Sequence, residues 1–118
     1  MKVMIVDDHE PMRRMIRSFI ADVVDEFVEC PDGCQALETY TQHLPDVVVM
    51  DIKMKTMDGI TATRNIKSQF PNAFVVIVSQ WDSCESRSAA ESAGVGAYFS
   101  KLDLAPLREM LKTMPRLA

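Results

Sequence analysis

The sequence contains little of what zinc-bound or disulfide-linked folds require. Its 118 residues include three cysteines and two histidines. The cysteines, Cys30, Cys34 and Cys84, are odd in number and lack the spacing of metal ligands, so we interpret them as reduced thiols. The histidines, His9 and His43, have no partner at ligand spacing. A structural zinc site is therefore not expected.

The chain also lacks an excess of positive charge and any long apolar run. Its formal net charge is −4, which argues against direct nucleic acid contact and against an anionic membrane partner. The apolar N-terminal run is interrupted by Asp7 and Asp8, long before it reaches the length of a signal sequence or a membrane span. We therefore expect a cytoplasmic protein with no membrane contact.

Internal repeats, low-complexity segments and linkers are absent as well. A chain of 118 residues is long enough to bury one hydrophobic core without disulfides or metals. An apolar content of 47% and a charged content of 25% are ordinary for a globular protein. We expect residues 1–118 to form a single domain.

What the sequence does contain is a series of short apolar runs. Residues 47–50 and 74–78 are continuously apolar and lack the alternation of a half-exposed strand, which predicts strands covered on both faces. Each run ends in a polar residue, Asp51 or Ser79. The other predicted strands span residues 2–6, 27–30 and 97–100.

Helices are predicted between these runs by apolar side chains at helical spacing. Pro11 suits the first turn of the first helix, and Asp103 suits the N-cap of the last. The helix over residues 83–93 has no large apolar side chain, so we expect it to be the least stable. The apolar sets are Met12, Met15, Ile16, Phe19, Ile20 and Val23; Ala36, Leu37 and Tyr40; Ala62, Thr63, Ile66 and Phe70 after Asp58-Gly59; and Leu107 and Leu111 within 104–114.

Strand and helix thus alternate five times, and short right-handed crossovers then give a parallel sheet with helices on both faces. We predict an α/β chain with a three-layer, doubly wound (βα)5 flavodoxin-like fold. The weak second strand is placed at an edge, which gives the strand order 2-1-3-4-5. The first and third strands are then neighbours, so Asp7, Asp8 and Asp51 should meet in one pocket.

Three neighbouring carboxylates indicate a site for a cation. They repel one another, and the repulsion energy of a pair ~4 Å apart is about 4 kcal/mol at an effective dielectric near 20. Mg²⁺ suits such a site because it prefers oxygen ligands and leaves room for water and a phosphoryl oxygen. Lys101, after the fifth strand, supplies a second positive charge. Asp51 between these cations is the candidate nucleophile for a phosphoryl group, and the Ser79 hydroxyl can hydrogen-bond a phosphoryl oxygen.

Taken in order, these residues resemble the receiver domain of bacterial two-component response regulators over essentially the whole chain. The resemblance implies that Asp51 accepts the phosphoryl group from a sensor histidine kinase or a histidine phosphotransfer protein, as in a phosphorelay. It also implies that Asp8, Asp51 and the backbone carbonyl of Lys53 hold Mg²⁺, while Asp7 helps through water. The motifs are Asp7-Asp8, Met50-Asp51, Met57-Asp58-Gly59, Ser79, and Tyr98 three residues before Lys101.

The resemblance further implies a signalling switch rather than an enzyme. Lys101 would pair with the phosphoryl group, and Ser79 and Tyr98 would reposition a surface formed by the fourth helix, fifth strand and fifth helix. The segments GAYFSKLDL and MDGITATR are similar to receivers that carry a C-terminal helix-turn-helix. The output is therefore expected from an unknown partner or from an effector domain outside these residues, and a phosphorylation-dependent homodimer is a further candidate.

Several residues depart from the family pattern, including Lys55 and Leu102 at positions where proline is usual. Gln80 stands where alanine or glycine is usual, Trp81 beside it is bulky, and Lys53 brings a cation toward the site, so we expect all three to modulate reaction rates. They leave open a degenerate receiver that acts as a phosphorylation-independent interaction module. An aspartyl phosphatase is a weaker alternative, because it usually needs a second acid two residues after the nucleophile, where this chain has Lys53. A flavin-binding domain is also weaker, because it would need a phosphate-binding loop after the first strand, where Asp7 and Asp8 would repel phosphate.

Overall fold

Five parallel strands form the centre of the computed structural model, which describes residues 1–80 and 83–114. All four strand pairings are parallel. Across the sheet the order is second, first, third, fourth, fifth, which confirms the predicted topology with the second strand at an edge. The strands are β1 (Lys2–Val6), β2 (Glu26–Cys30), β3 (Val47–Met50), β4 (Val75–Ser79) and β5 (Ala97–Ser100).

One helix follows each strand along the chain, as the sequence predicts. In the part of the chain that the structure describes, none of these helices has the length and apolar character needed to cross a membrane. They are α1 (Glu10–Ile20), α2 (Ala36–His43), α3 (Gly59–Gln69), α4 (Cys84–Ser92) and α5 (Ala105–Thr113), and short 3-10 turns cover Ala21–Val23 and Gly33–Gln35.

The sheet is covered on both faces, which explains the continuous apolar runs. Alternate residues of a strand point to opposite faces, so Met4 and Ile5 of β1 belong to different buried clusters. One cluster joins the sheet to α1 and α5, and the other joins it to α2, α3 and α4. The three layers predicted from the sequence are therefore present.

The first helix differs from its predicted form in two ways. It ends at Ile20, and the chain continues to Val23 as a 3-10 turn. Met15 and Phe19, predicted to face inward, are 44% and 43% exposed. The predicted apolar set covers an arc of about 140° at 100° per residue, and these two side chains lie at its edge while Ile16 and Ile20 contact the sheet.

Helices α4 and α5 were each the subject of one prediction. Leu104 occupies the N-cap position of α5 without a side-chain hydrogen bond, so the prediction that Asp103 is the N-cap was wrong by one residue. Asp103 still accepts a hydrogen bond from the backbone N–H of Ala105, at 3.2 Å. In α4 the one buried residue is Ala90, and its low stability stays a prediction.

Gly59 places the start of α3 directly against the end of β3. Its N–H donates to the carbonyl of Ile52 at 2.8 Å, and a Cβ at this position would overlap the backbone carbonyl oxygen of Asp51. Asp58 caps the helix by accepting a hydrogen bond from the N–H of Thr61. Only a residue without a side chain allows this close approach, so α3 and the turn that carries Asp51 form one packed unit.

We expect Gly59→Ala to lower the free energy of unfolding by about 1–3 kcal/mol, the usual cost of inserting a methyl group where no space exists. Urea denaturation followed by circular dichroism measures this change. Ser68→Ala, at an exposed position of the same helix, is the control and should change stability by no more than about 0.5 kcal/mol. Equal stabilities of the two variants would contradict the close packing.

Candidate functional site

Asp7 and Asp51 follow neighbouring strands at the same edge of the sheet. Val6 is in register with Met50, and the Asp51 N–H donates to the Val6 carbonyl at 2.9 Å, which continues the ladder by one residue. The two carboxylates are buried, with 1% and 7% of each residue exposed. Together with half-buried Asp8 they form an acidic cluster in which one oxygen from each carboxylate lies within 4.8 Å of the others.

Lys101 brings an ammonium group into this acidic cluster from the end of β5. Its Nζ lies 2.9 Å from Asp7 Oδ2 and 3.0 Å from Asp51 Oδ1, and its side chain is only 14% exposed. Its backbone N–H donates to the Ser79 carbonyl at 2.9 Å. One cation therefore bridges the two buried carboxylates.

The pKa values in the cluster reflect both burial and charge. Burial raises the pKa of Asp51, the neighbouring charge of Asp7 raises it further, and the Lys101 ammonium opposes both without cancelling them. Burial lowers the pKa of Lys101, but hydrogen bonds and attraction to Asp7 and Asp51 outweigh burial and leave it raised. The Lys101 ammonium pairs with two of the three carboxylates, so the cluster retains an excess of negative charge.

Every polar group of Asp7 has a partner. Its N–H donates to the Cys30 carbonyl at 3.1 Å, and its carbonyl accepts from Arg13 Nη1 at 2.6 Å. Its Oδ1 accepts from the His9 N–H at 2.9 Å, and its Oδ2 pairs with Lys101. Asp7 is therefore fixed in one orientation at the bottom of the cluster.

Asp8 is oriented by a group that no sequence pattern identifies. Its Oδ2 accepts a hydrogen bond from the backbone N–H of Lys55 at 3.0 Å. The loop after β3 is held in turn by Asp32, whose side chain accepts from the Thr56 hydroxyl and from the Cys34 N–H. Because almost any residue type can supply a backbone N–H donor, the contacts that Lys55 and Cys34 make had no signal in the sequence.

Ser79 and Tyr98 lie on the neighbouring strands β4 and β5. Ser79 ends β4, is 3% exposed and faces Ser100 in the strand register. Tyr98 is half-buried, and the guanidinium of Arg87 lies 4.7 Å from the centre of its ring. The structure thus places Ser79 at the end of β4 and Tyr98 earlier on the neighbouring strand, level with Ile77, and links Tyr98 to α4.

Two of the residues expected to modulate rates are exposed close to the ends of β3 and β4. Lys53 is exposed in the loop after β3, and Gln80 is exposed directly after β4. Trp81 lies outside the described residues. Gln80 contributes to an open cavity of about 440 Å³ beside the cluster, whose walls are His9, Met12, Met15, Gln80, Lys101 and Leu102.

The donor set fits a hard divalent cation. Carboxylate oxygens are the ligands that Mg²⁺ prefers, and it binds through one or two of them while keeping several waters. Asp7, Asp8 and Asp51 each offer one such oxygen, and these oxygens lie within 4.8 Å of one another. A cation here would offset the negative charge that Lys101 leaves unbalanced.

Comparison with known proteins agrees with this arrangement. A family model described as the response regulator receiver domain matches residues 3–112. The uncharacterized transcriptional regulatory protein YhcZ of Bacillus subtilis is 36% identical over 115 residues, which cover 96% of this chain and 53% of YhcZ. The chemotaxis protein CheY of Halobacterium salinarum is 34% identical over 100 residues, which cover 85% of this chain and 83% of CheY.

A solved structure shows the same fold. The two-component response regulator of the LuxR family from Aurantimonas sp. SI85-9A1 superimposes with a TM-score of 0.83 at 28% identity, over 93% of this chain and 84% of that one. The chain therefore spans most of the CheY protein but only 53% of the length of YhcZ.

Proposed function

The chain belongs to the response regulator receiver domains of two-component signalling, and we propose that it takes a phosphoryl group onto Asp51 from a sensor histidine kinase or a histidine phosphotransfer protein. Membership confirms the resemblance seen in the sequence and its assignment to signalling. The observation that carries the proposal is the acidic cluster of Asp7, Asp8 and Asp51, in which the Lys101 ammonium bridges the buried carboxylates of Asp7 and Asp51.

Mg²⁺ is the cofactor of this proposal. Asp8, Asp51 and the Lys53 carbonyl would hold the ion, and Asp7 would assist through water. When bound, Mg²⁺ neutralises charge on the phosphoryl oxygens. The protein contributes the placement: Lys101 and Lys55 hold the carboxylates of Asp51 and Asp8 in defined positions before any ligand arrives.

In the transfer step an Asp51 carboxylate oxygen attacks the phosphorus of a phosphohistidine in line. The new O–P bond forms as the P–N bond breaks, and the electron pair of that bond leaves with the imidazole, which takes a proton from solvent. Lys101 then pairs with a phosphoryl oxygen in place of the Asp51 carboxylate. The Ser79 hydroxyl donates to a second phosphoryl oxygen.

The response is a change in the surface formed by α4, β5 and α5. A phosphoryl group adds about −1.5 to −2 charges and three strong acceptors, which draw the Ser79 hydroxyl and let the Tyr98 ring move into the space left behind. Helix α4 buries only Ala90, so it is the element that moves at the lowest cost. The contact between Arg87 and Tyr98 joins this helix to the switch residue.

The remaining partners follow from the same proposal. Residues 1–118 make up one cytoplasmic receiver domain, which does not itself contact nucleic acid or a membrane. Its output passes to a separate partner protein or to an effector domain outside these residues, and a phosphorylation-dependent homodimer is one form that the output can take.

The experiment that tests the proposal is incubation with acetyl phosphate, with and without Mg²⁺, followed by intact-mass spectrometry. We expect a gain equal to one phosphoryl group that depends on Mg²⁺, because Asp51 alone is surrounded by too much negative charge to receive the donor. Beryllofluoride with Mg²⁺ should shift the NMR signals of the Ser79 and Lys101 amides.

A receiver that binds partners without phosphorylation is the second candidate. It is favoured by the exposed side chain of Gln80, which lines the cavity beside Lys101 where the family usually has alanine or glycine. Failure of acetyl phosphate to add mass, together with unchanged NMR signals in beryllofluoride, would favour this module over a phosphoacceptor.

A further inference from the structure

Arg13 connects the acidic cluster to the edge strand of the sheet. Its Nη1 donates to the carbonyl oxygen of Asp7 at 2.6 Å, and its Nε donates to Glu29 Oε1 on β2 at 3.2 Å. The side chain is only 13% exposed, although the helical pattern places it outside the apolar face of α1. A permanent positive charge is thus buried directly behind the cluster.

The acceptor on Asp7 belongs to the peptide group that joins Asp7 to Asp8. Both carboxylates project from this short unit, so its orientation sets the direction of each. The opposite side of Asp7 is fixed by its N–H, which donates to the Cys30 carbonyl. Cys30 directly follows Glu29, so one segment of β2 holds Asp7 both directly and through Arg13.

A guanidinium group is suited to this connection because it offers donors in fixed directions. Arg13 uses one arm for a neutral carbonyl and another for the carboxylate of Glu29, and hydrogen bonds of this charged kind are stronger than neutral ones. A lysine has one compact ammonium and cannot hold both acceptors with the same geometry. Loss of Arg13 would leave the Asp7 carbonyl without its charged donor and would remove one of the contacts that orient the Asp7–Asp8 peptide.

Helix α1 supplies two further arginines that separate this role from a general effect of charge. Arg14 is 74% exposed at its side chain and pairs with Glu10 one turn earlier. Arg17 shares Glu29, at 3.1 Å, and lies over the ring of Phe27 at 5.1 Å. Within the described residues, neither of them donates a hydrogen bond to Asp7. Substitution of either arginine therefore removes the same charge from the same helix without removing a contact to the cluster.

We propose that Arg13, held by Glu29, is a positioning residue that orients the Asp7–Asp8 peptide and thereby sets the affinity of the acidic cluster for a divalent cation. This inference rests on the proposed Mg²⁺-dependent function. Groups that orient metal ligands from behind typically account for about 10–100-fold in metal affinity. The position of Arg13 matches that role, because it contacts the ligand-bearing peptide and not the space where the ion binds.

The test is titration of the full chain with Mg²⁺ alone, followed by two-dimensional ¹H–¹⁵N NMR. The amide signals of Asp8 and Lys55 report binding at the cluster, and the spread of all signals reports that each variant is folded. We expect Arg13→Met to weaken Mg²⁺ binding by about tenfold, whereas Arg14→Met and Arg17→Met keep a dissociation constant close to that of the wild type. Arg13→Lys keeps the charge but has all its donors on a single nitrogen, and it should fall between Arg13→Met and the wild type.

The outcomes separate this inference from the proposed function. Wild-type protein that shows no Mg²⁺ binding contradicts the proposed function and with it the role of Arg13. If the wild type binds and Arg13→Met binds equally well, only the role of Arg13 is overturned. Equal weakening in Arg13→Met and Arg17→Met also overturns it, since Glu29 and helix docking would then explain the loss. If Arg13→Met is unfolded, the Mg²⁺ affinities of Arg13→Lys and Arg17→Lys are compared instead. Weaker binding by Arg13→Lys alone supports the role of Arg13, and equal binding by the two variants overturns it.

Discussion

Replacement of Lys101 by methionine is expected to lower the free energy of unfolding by about 3–5 kcal/mol in Mg²⁺-free buffer at neutral pH. Removing one partner from a buried ion pair has this cost because the other charge is left without compensation. Here the single ammonium serves two buried carboxylates, Asp7 and Asp51, at 2.9 and 3.0 Å. Methionine keeps most of the unbranched side chain, so the lost charge dominates the effect.

The pH dependence of this stabilisation follows from the raised pKa of Lys101. A base whose pKa is higher in the folded state contributes stability that is fully present below its unfolded value and is lost as the pH rises through the folded value. The ordinary value is 10.5, so the contribution should persist across neutral pH and disappear only in alkali above that value.

Urea denaturation of Lys101→Met, followed by circular dichroism at pH 7, measures the effect. Lys112→Met is the matched control, since Lys112 is an exposed lysine on α5, and it should stay within about 0.5 kcal/mol of the wild type. Added Mg²⁺ should restore part of the stability of Lys101→Met. Similar stabilities for the two variants without Mg²⁺ would show that Lys101 does not neutralise the cluster.

Asp51→Asn should abolish phosphorylation and, in Mg²⁺-free buffer, should make the fold more stable than the wild type. Burial and the charge of Asp7 raise the pKa of Asp51. An acid with a raised pKa binds its proton more tightly when folded, so stability is lost as the pH rises from the ordinary value of 3.8 through the folded value. At neutral pH the ionised Asp51 therefore destabilises the protein, and asparagine removes that charge while keeping the shape.

With Mg²⁺ bound, the wild type should become more stable than Asp51→Asn. At a concentration ten times its dissociation constant an ion stabilises the folded state by about 1.4 kcal/mol, which raises the melting temperature of a domain of this size by roughly 5–10 °C. Asp51→Asn loses one carboxylate ligand, so its gain from Mg²⁺ should be much smaller than that of the wild type.

Thermal melts with and without Mg²⁺ measure both effects, and acetyl phosphate with intact-mass spectrometry measures the loss of phosphorylation. Asp58→Asn is the matched control, because asparagine replaces aspartate well at an N-cap and Asp58 caps α3. It should keep both the Mg²⁺ response and the mass gain. Equal melting-temperature gains in Asp51→Asn and the wild type would count against the metal cluster.

The fold could be predicted because its signals are local and repeated. Continuous apolar runs such as residues 47–50 arise only where a strand is covered on both faces, and all four of these residues are buried. The weak second strand could be placed at an edge, which brought β1 next to β3 and Asp7 next to Asp51. The gathering of carboxylates in the site followed from topology without knowledge of any distance.

The features that were missed depend on three-dimensional contacts that residue type does not specify. Arg13 lies on the polar side of the helical pattern, yet it reaches behind Asp7 because the carbonyl there needs a donor. The Lys55 N–H that holds Asp8 is a backbone group with no sequence signature. Met15 and Phe19 were assigned to the core because spacing alone does not tell where the edge of a buried face lies.

The most direct test of the account is to locate the phosphoryl group itself. Protein treated with acetyl phosphate and Mg²⁺ is reduced with borohydride, which converts an aspartyl phosphate to homoserine, and the modified residue is identified by tandem mass spectrometry of its peptides. The account predicts homoserine at position 51 and at no other aspartate. Modification of Asp7 or Asp8 in its place, or a phosphoryl group that adds mass without any reducible aspartate, would contradict the assignment of Asp51 as the phosphoacceptor.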